Sequence, residues 1–189
     1  MDQPQLLAKS DAPTHLLQTG KARSMYIDPK KIADSRVVIF ERDLQWRQYL
    51  ARELLGLGFE NVVQANSASE ALQLIRDAHA DALITLHDLK LVKFLRNNRL
   101  SPNRDIIIIL ITANLGAEEI LLERDCGVNE IVAKPASVMQ VITHLYDSLT
   151  HPRRFIDVLR YHGPDRRRHT RKYSKPERRI NGQAKVSET

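Results

Sequence analysis

The sequence predicts an α/β domain, a doubly wound five-stranded parallel sheet with helices on both faces. Three observations predict it. Val37-Val38-Ile39-Phe40 and Ile106–Ile111 are short, continuous apolar runs, the pattern of strands buried on both sides. After the first run, Trp46, Tyr49, Leu50, Leu54 and Leu57 recur at helical spacing. Strand-like and helix-like segments then keep alternating to about residue 150, and parallel neighbours require a crossover helix between them.

Taken in order, residues 1–35 mix Gln, Pro, Gly, Lys and Ser without sustained periodicity and read as a flexible extension, with at most a short helix around Leu16. Residues 36–150 form the domain. Its first strand is Val37–Phe40 and its first helix runs from Trp46 to Leu57. Val62-Val63 marks the second strand, and Ala68–Ala78 the second helix, through Ala71, Leu72 and Ile75. Ala82–Leu86 is a strand, Leu91–Asn97 a short helix, and the apolar Ile106–Ile111 is expected to be the central strand. Glu118–Asp125, Ile131-Val132-Ala133 and Val138–Leu149 complete the alternation as helix, strand and helix. Ligands of such sheets bind beyond the carboxyl ends of the strands. Phe40–Asp43, Leu86–Asp88, Thr112–Asn114 and Ala133–Pro135 should therefore converge.

The chain of 189 residues suits one compact domain with appendages. Its formal charge of +6 is uneven, because residues 151–189 hold 12 Lys+Arg against 4 Asp+Glu. A field of that sign attracts phosphates, membrane surfaces or acidic proteins, and salt weakens it. Cys126 is the single cysteine, which excludes an internal disulfide and a thiolate zinc site. The first thirty residues hold no apolar run resembling a signal peptide or a membrane span, so no membrane insertion and a cytoplasmic setting are expected.

Over residues 36–150 the chain resembles the CheY-like receiver domain of bacterial response regulators. The matching residues are Arg47, Ser69-Glu70-Ala71-Leu72, Thr112-Ala113 and the run Cys126-Gly127-Val128-Asn129-Glu130-Ile131-Val132-Ala133-Lys134-Pro135. The resemblance implies a receiver or flavodoxin-like sheet of order 2-1-3-4-5, a cis peptide bond before Pro135, and a site built around Glu41, Asp43, Asp88, Thr112 and Lys134. The family's chemistry needs an acidic pair for Mg²⁺ and an aspartate that accepts the phosphoryl group. Here the pair aligns with Glu41 and Arg42, and a guanidinium opposes a hard cation. The acceptor position falls on Leu86, which has no nucleophile; Asp88 serves only if the strand end slips by two residues. Ile131 stands where many receivers carry a switching aromatic. The site therefore reads as vestigial, with no phosphorylation, no Mg²⁺ and no other metal. Thr112 then reads as a strand-end hydroxyl, and Lys134 as a partner of Glu41 or Asp43.

The basic end, residues 151–189, carries an ordered pattern. Arg160-Tyr161-His162-Gly163-Pro164-Asp165-Arg166-Arg167-Arg168 is echoed by Lys175-Pro176-Glu177-Arg178-Arg179. Each unit puts a carboxylate directly before two guanidinium groups. This segment resembles the arginine-rich segment of CheY-like cyclic di-GMP effectors, sometimes called Cle proteins, which implies that ligand, often bound as a stacked dimer. The residues suit it. An arginine fork bonds guanine O6 and N7 together, Asp165 or Glu177 accepts from the opposite edge, and Arg160, Tyr161, Arg166, Arg167, Arg168, Arg178 and Arg179 offer stacking or phosphodiester contacts. Gly163 permits a tight bend and Pro164 presets the backbone. A bidentate base contact contributes about 1–3 kcal/mol, ordering a free segment costs about 2–5 kcal/mol, and micromolar affinity needs about 8 kcal/mol. Two cooperating units or a dimeric ligand are therefore expected. A solvated polyanion-binding tail is the plainer reading, but it has no use for an acid inside each unit.

His87-Asp88 lacks the further ligands of a metal site and reads as a solvated loop. Phe155-Ile156, Val158-Leu159 and Tyr161 form an apolar stripe that can pack back on the domain or anchor a partner. Nothing supports an enzyme. The favoured function is a cyclic di-GMP effector in which the ligand orders about residues 153–179. Its receiver-like domain would dock through the fourth helix, fifth strand and fifth helix (118–125, 128–133 and 138–149) on a partner such as the flagellar motor or another motility or adhesion machine. The alternative is a receiver-like adaptor whose basic end binds nucleic acid or an acidic protein non-specifically.

Overall fold

In the computed structural model, residues 29–113, 116–158 and 161–166 are described. Their order is α1 (Pro29–Asp34), β1 (Arg36–Phe40), α2 (Leu44–Gly56), β2 (Asn61–Ala65), α3 (Ala68–Asp77), β3 (Ala82–Leu86) and α4 (Leu89–Asn97), then β4 (Ile107–Thr112), α5 (Ala117–Asp125), β5 (Glu130–Ala133), α6 (Val138–Thr150) and the strands β6 (Phe155–Val158) and β7 (Tyr161–Pro164).

Five strands pair in parallel in the order β2-β1-β3-β4-β5, as the sequence and its resemblance imply. The central strand is β3; the expectation of β4 there is corrected. β4 is more apolar because it too lies inside the sheet, paired with β3 and β5. Strand alternation splits the core into two layers. Val37 and Ile39 face α2 and α6 with Ile84, Ile109 and Ile111, while Val38 and Phe40 face α3 and α4 with Leu83, Ile108 and Leu110. Each such side chain, fully buried, contributes about 1.5–3 kcal/mol.

Local chemistry starts the helices where the strands end. Asp43, Ser67 and Asp88 each accept a backbone N–H from the first turn of α2, α3 and α4. Ser137 and Gln140 form a reciprocal capping box on α6. These caps satisfy donors that have no partner inside the helix.

At both ends the packed structure extends beyond residues 36–150. Pro29 opens α1, a position where its missing N–H costs nothing, and Ile32 enters the core. At the other end, β6 and β7 pair antiparallel, Phe155 opposite Pro164 and Asp157 opposite His162. This hairpin lies within residues 151–189, the basic end of the chain. Of the apolar stripe, Phe155 packs back on the domain against Arg96, at the amino ends of β4 and β5, whereas Val158 is exposed and Leu159 lies outside the described residues. Two glycines permit the approach. Gly127 has φ +89°, and a Cβ there would lie 2.5 Å from the His162 carbonyl oxygen; a Cβ on Gly163 would lie 2.8 Å from the Gly127 Cα. Gly163 thus serves close packing rather than a bend.

Candidate functional site

The carboxyl ends of the strands do converge. Glu41, at the end of β1, is buried. Its Oε1 accepts the backbone N–H groups of Arg42 at 2.8 Å and Asp43 at 3.3 Å, and its Oε2 accepts from Lys134 Nζ at 3.5 Å. Lys134 is therefore the partner of Glu41, and its bond to Pro135 is cis. Arg47 donates to the Glu41 carbonyl. Asp43 and Asp88 act as helix caps, accepting from Trp46 N at 2.9 Å and Leu91 N at 3.0 Å. Leu86 ends β3, so no carboxylate stands at the acceptor position.

A residue that the sequence reading missed completes this end. Glu123 of α5 is fully buried; its Oε1 accepts from the Thr112 hydroxyl at 2.8 Å and lies 2.7 Å from His87 Nδ1. His87 is thus a half-buried member of a cluster, which corrects the solvated loop expected of it. Thr112 is engaged by the Glu123 carboxyl group where the family resemblance places a phosphoryl oxygen. The residue pattern of α5 carried no signal for it. Leu121 and Leu122 are exposed while Glu123, next in line, is buried, which inverts the usual stripe of a surface helix. Among the described residues no group of three or more His, Cys, Asp or Glu side chains could hold a metal ion.

The opposite end of the sheet is organised by Arg96, in the last turn of α4. Its guanidinium is wholly buried and donates to the carbonyls of Gly127 at 2.8 Å, Arg104 at 2.7 Å and Ile106 at 2.7 Å, and to Asn129 Oδ1 at 3.0 Å. Burial pushes its pKa down to about 10, with Asp105 opposing the shift, so it stays charged at neutral pH. The Phe155 ring lies 5.1 Å over it. His162, buried beside Phe155, sets Nε2 at 2.9 Å from Asp105 and Nδ1 at 3.5 Å from Asp157. Hairpin and domain are joined by a polar and aromatic contact, in which Arg96 and His162 are buried while Asp105 and Asp157 stay exposed.

The hairpin leads directly into the first acid-arginine unit. Tyr161 is half-buried and donates from its hydroxyl to the Pro164 carbonyl at 2.8 Å. The Arg166 guanidinium lies 4.1 Å over the Tyr161 ring and 2.6 Å from Asp125, the last residue of α5. Asp165 N donates to the Arg154 carbonyl at 2.7 Å. The structure thus brings Tyr161, Asp165 and Arg166 together. It turns Gly163 and Pro164 inward, buried against the domain. Arg160, Arg167, Arg168, Glu177, Arg178 and Arg179 lie outside the described residues. The two candidate sites sit at opposite ends of the sheet.

No family model matches the chain. Over 108 residues, 53% of this chain and 85% of the relative, it is 30% identical to chemotaxis protein CheY1 of Helicobacter pylori. Among solved structures it is similar to chemotaxis protein CheY4 of Vibrio cholerae, at 20% identity and a TM-score of 0.53, covering 59% of this chain and 95% of that one. The non-phosphorylated HemR receiver domain of Leptospira biflexa matches at 21% identity and a TM-score of 0.55, covering 64% of this chain and 98% of that one. At such identities the solved structures speak for the fold. Among the described residues no helix is long and apolar enough to cross a membrane.

Proposed function

The chain belongs to the CheY-like receiver family, and from that premise we propose that it is a phosphorylation-independent signalling effector in the cytoplasm, addressed by cyclic di-GMP through its basic C-terminal segment. The observation that carries this reading is the Arg166 guanidinium stacked on Tyr161 at 4.1 Å, with Asp165 beside it in sequence. A planar cation already held over a ring offers its outer face to a purine, and its remaining donors to an anion. An arginine ordered in advance also spares part of the cost of fixing a free segment on the ligand. Arg167 and Arg168 follow immediately in the chain, and the Lys175–Arg179 unit supplies the second set of contacts that a stacked dimeric ligand requires.

Phosphorylation independence is supported by the other end of the sheet. Leu86 offers no nucleophile, Asp43 and Asp88 are occupied as caps, and Glu41 binds Lys134 and two backbone N–H groups. Mg²⁺ requires several oxygen ligands in near-octahedral array, whereas here Asp43 and Asp88 are engaged as helix caps and Glu41 is paired with Lys134. The buried Glu123 carboxylate also opposes the entry of a phosphoryl dianion beside Thr112. The receiver-like domain then serves as a docking module, through the face of α5, β5 and α6 with its exposed Leu121 and Leu122. A motility machine is the partner class that the chemotaxis relatives suggest.

The test is a titration of the full chain with cyclic di-GMP, GMP and duplex DNA at two salt concentrations. Saturable, roughly micromolar binding of the dinucleotide that survives added salt supports the reading. Binding only of DNA, falling steeply as salt rises, contradicts it and favours a polyanion-binding tail.

A further inference from the structure

Resting on the reading that the basic segment takes a cyclic guanine dinucleotide, we propose that Asp125 is a built-in competitor for that ligand at Arg166, and that α5 registers its displacement. Asp125 Oδ1 lies 2.6 Å from Arg166 Nη1, and the two side chains are 60% and 37% exposed. The pair is therefore open to exchange. A carboxylate on a guanidinium presents anionic oxygens much as a phosphodiester does. Asp125 thus holds the place of the ligand's anionic group, while the Tyr161 ring keeps the guanidinium plane presented to a base on its outer face.

The position of Asp125 makes this exchange consequential. It is the last residue of α5, where the unpaired helix carbonyls disfavour a negative charge. Arg166 compensates that charge. Once a nucleotide draws the guanidinium away, the last turn of α5 carries an uncompensated anion and loosens. Two residues earlier, Glu123 holds Thr112 and His87, and Leu121 and Leu122 stand exposed on the same helix. One helix therefore touches the basic segment, the inner cluster and the apolar docking face.

The experiment compares the full wild-type chain with Asp125→Asn, and with Glu118→Gln, which removes the same charge from the opposite end of α5. Affinity for cyclic di-GMP is read by calorimetry, and amide exchange of residues 117–125 is read with and without the dinucleotide. Asp125→Asn should bind about two- to fivefold more tightly, the scale of a partly exposed ion pair. Its α5 amides should no longer respond to the ligand, whereas those of wild type and Glu118→Gln should exchange faster on binding. If wild type binds but Asp125→Asn is unchanged or weaker, if Glu118→Gln tightens equally, or if the wild-type α5 amides ignore the ligand, the competitor role is overturned and the dinucleotide reading stands. If wild type takes up no dinucleotide, both fall together.

Discussion

Replacing Arg96 by methionine should destabilise the domain by about 3–5 kcal/mol and unseat the C-terminal hairpin. Methionine replaces much of the aliphatic stem, so the loss is chiefly of hydrogen bonds. Asn129 Oδ1 keeps its bond from Ile108 N at 2.9 Å, whereas the carbonyls of Gly127, Arg104 and Ile106 lose the guanidinium donors at 2.7–2.8 Å. Each buried acceptor left without a partner costs about 1–3 kcal/mol. Part of that is offset, because a buried cation no longer has to be stripped of water. A domain of this size is stable by only about 5–15 kcal/mol, so the effect is large. Urea unfolding should show the midpoint falling with little change in slope, and amides of residues 155–164 should exchange early as Phe155 loses the cation beneath it. Arg96→Lys should recover only part of the loss, since one ammonium cannot reproduce the planar fork. A methionine variant within about 1 kcal/mol of wild type, with the hairpin still protected, would refute the reasoning.

Gly127→Ala should cost about 2–4 kcal/mol, because the backbone is left-handed there and the added methyl meets the His162 carbonyl; thermal unfolding and hairpin amide exchange check it. Asp88→Ala should cost about 1 kcal/mol, as loss of a helix cap, and incubation with acetyl phosphate should label neither wild type nor variant. Burial raises the Cys126 thiol pKa, so alkylation of the native protein should stay slow at neutral pH and accelerate on unfolding. With the folded pKa above the unfolded one, this group favours the folded state less as pH rises through the thiol range, where the unfolded chain ionises first; urea midpoints above neutral pH check the sign.

The sheet was legible because its signal is strong and local. Val37–Phe40 and Ile107–Thr112 have no polar residue to contest their burial until Thr112, and Lys134-Pro135 carried the family resemblance. The hairpin was less legible because it depends on partners distant in sequence. Phe155 needs Arg96, His162 needs Asp105, and Gly163 needs Gly127. The apolar stripe announced packing, but not strand pairing or the place of docking. Arg96 stands at the end of an amphipathic helix, where a cation is ordinarily solvated, and only the fold brings four acceptors around it. Glu123 was hidden for the same reason, since burial of an acid in a helix with two exposed leucines contradicts pattern reasoning until Thr112 and His87 appear beside it. Asp165 and Arg166 were singled out by their repeat, whereas the stack on Tyr161 and the pair with Asp125 are tertiary facts.

Calorimetric titration of cyclic di-GMP into the wild-type chain, Arg166→Ala and Asp165→Ala tests the central claim most directly. Roughly micromolar binding by the wild type, about 8 kcal/mol, and loss of tight binding in both variants are expected. Equal affinity in all three, or no uptake by the wild type, would contradict it.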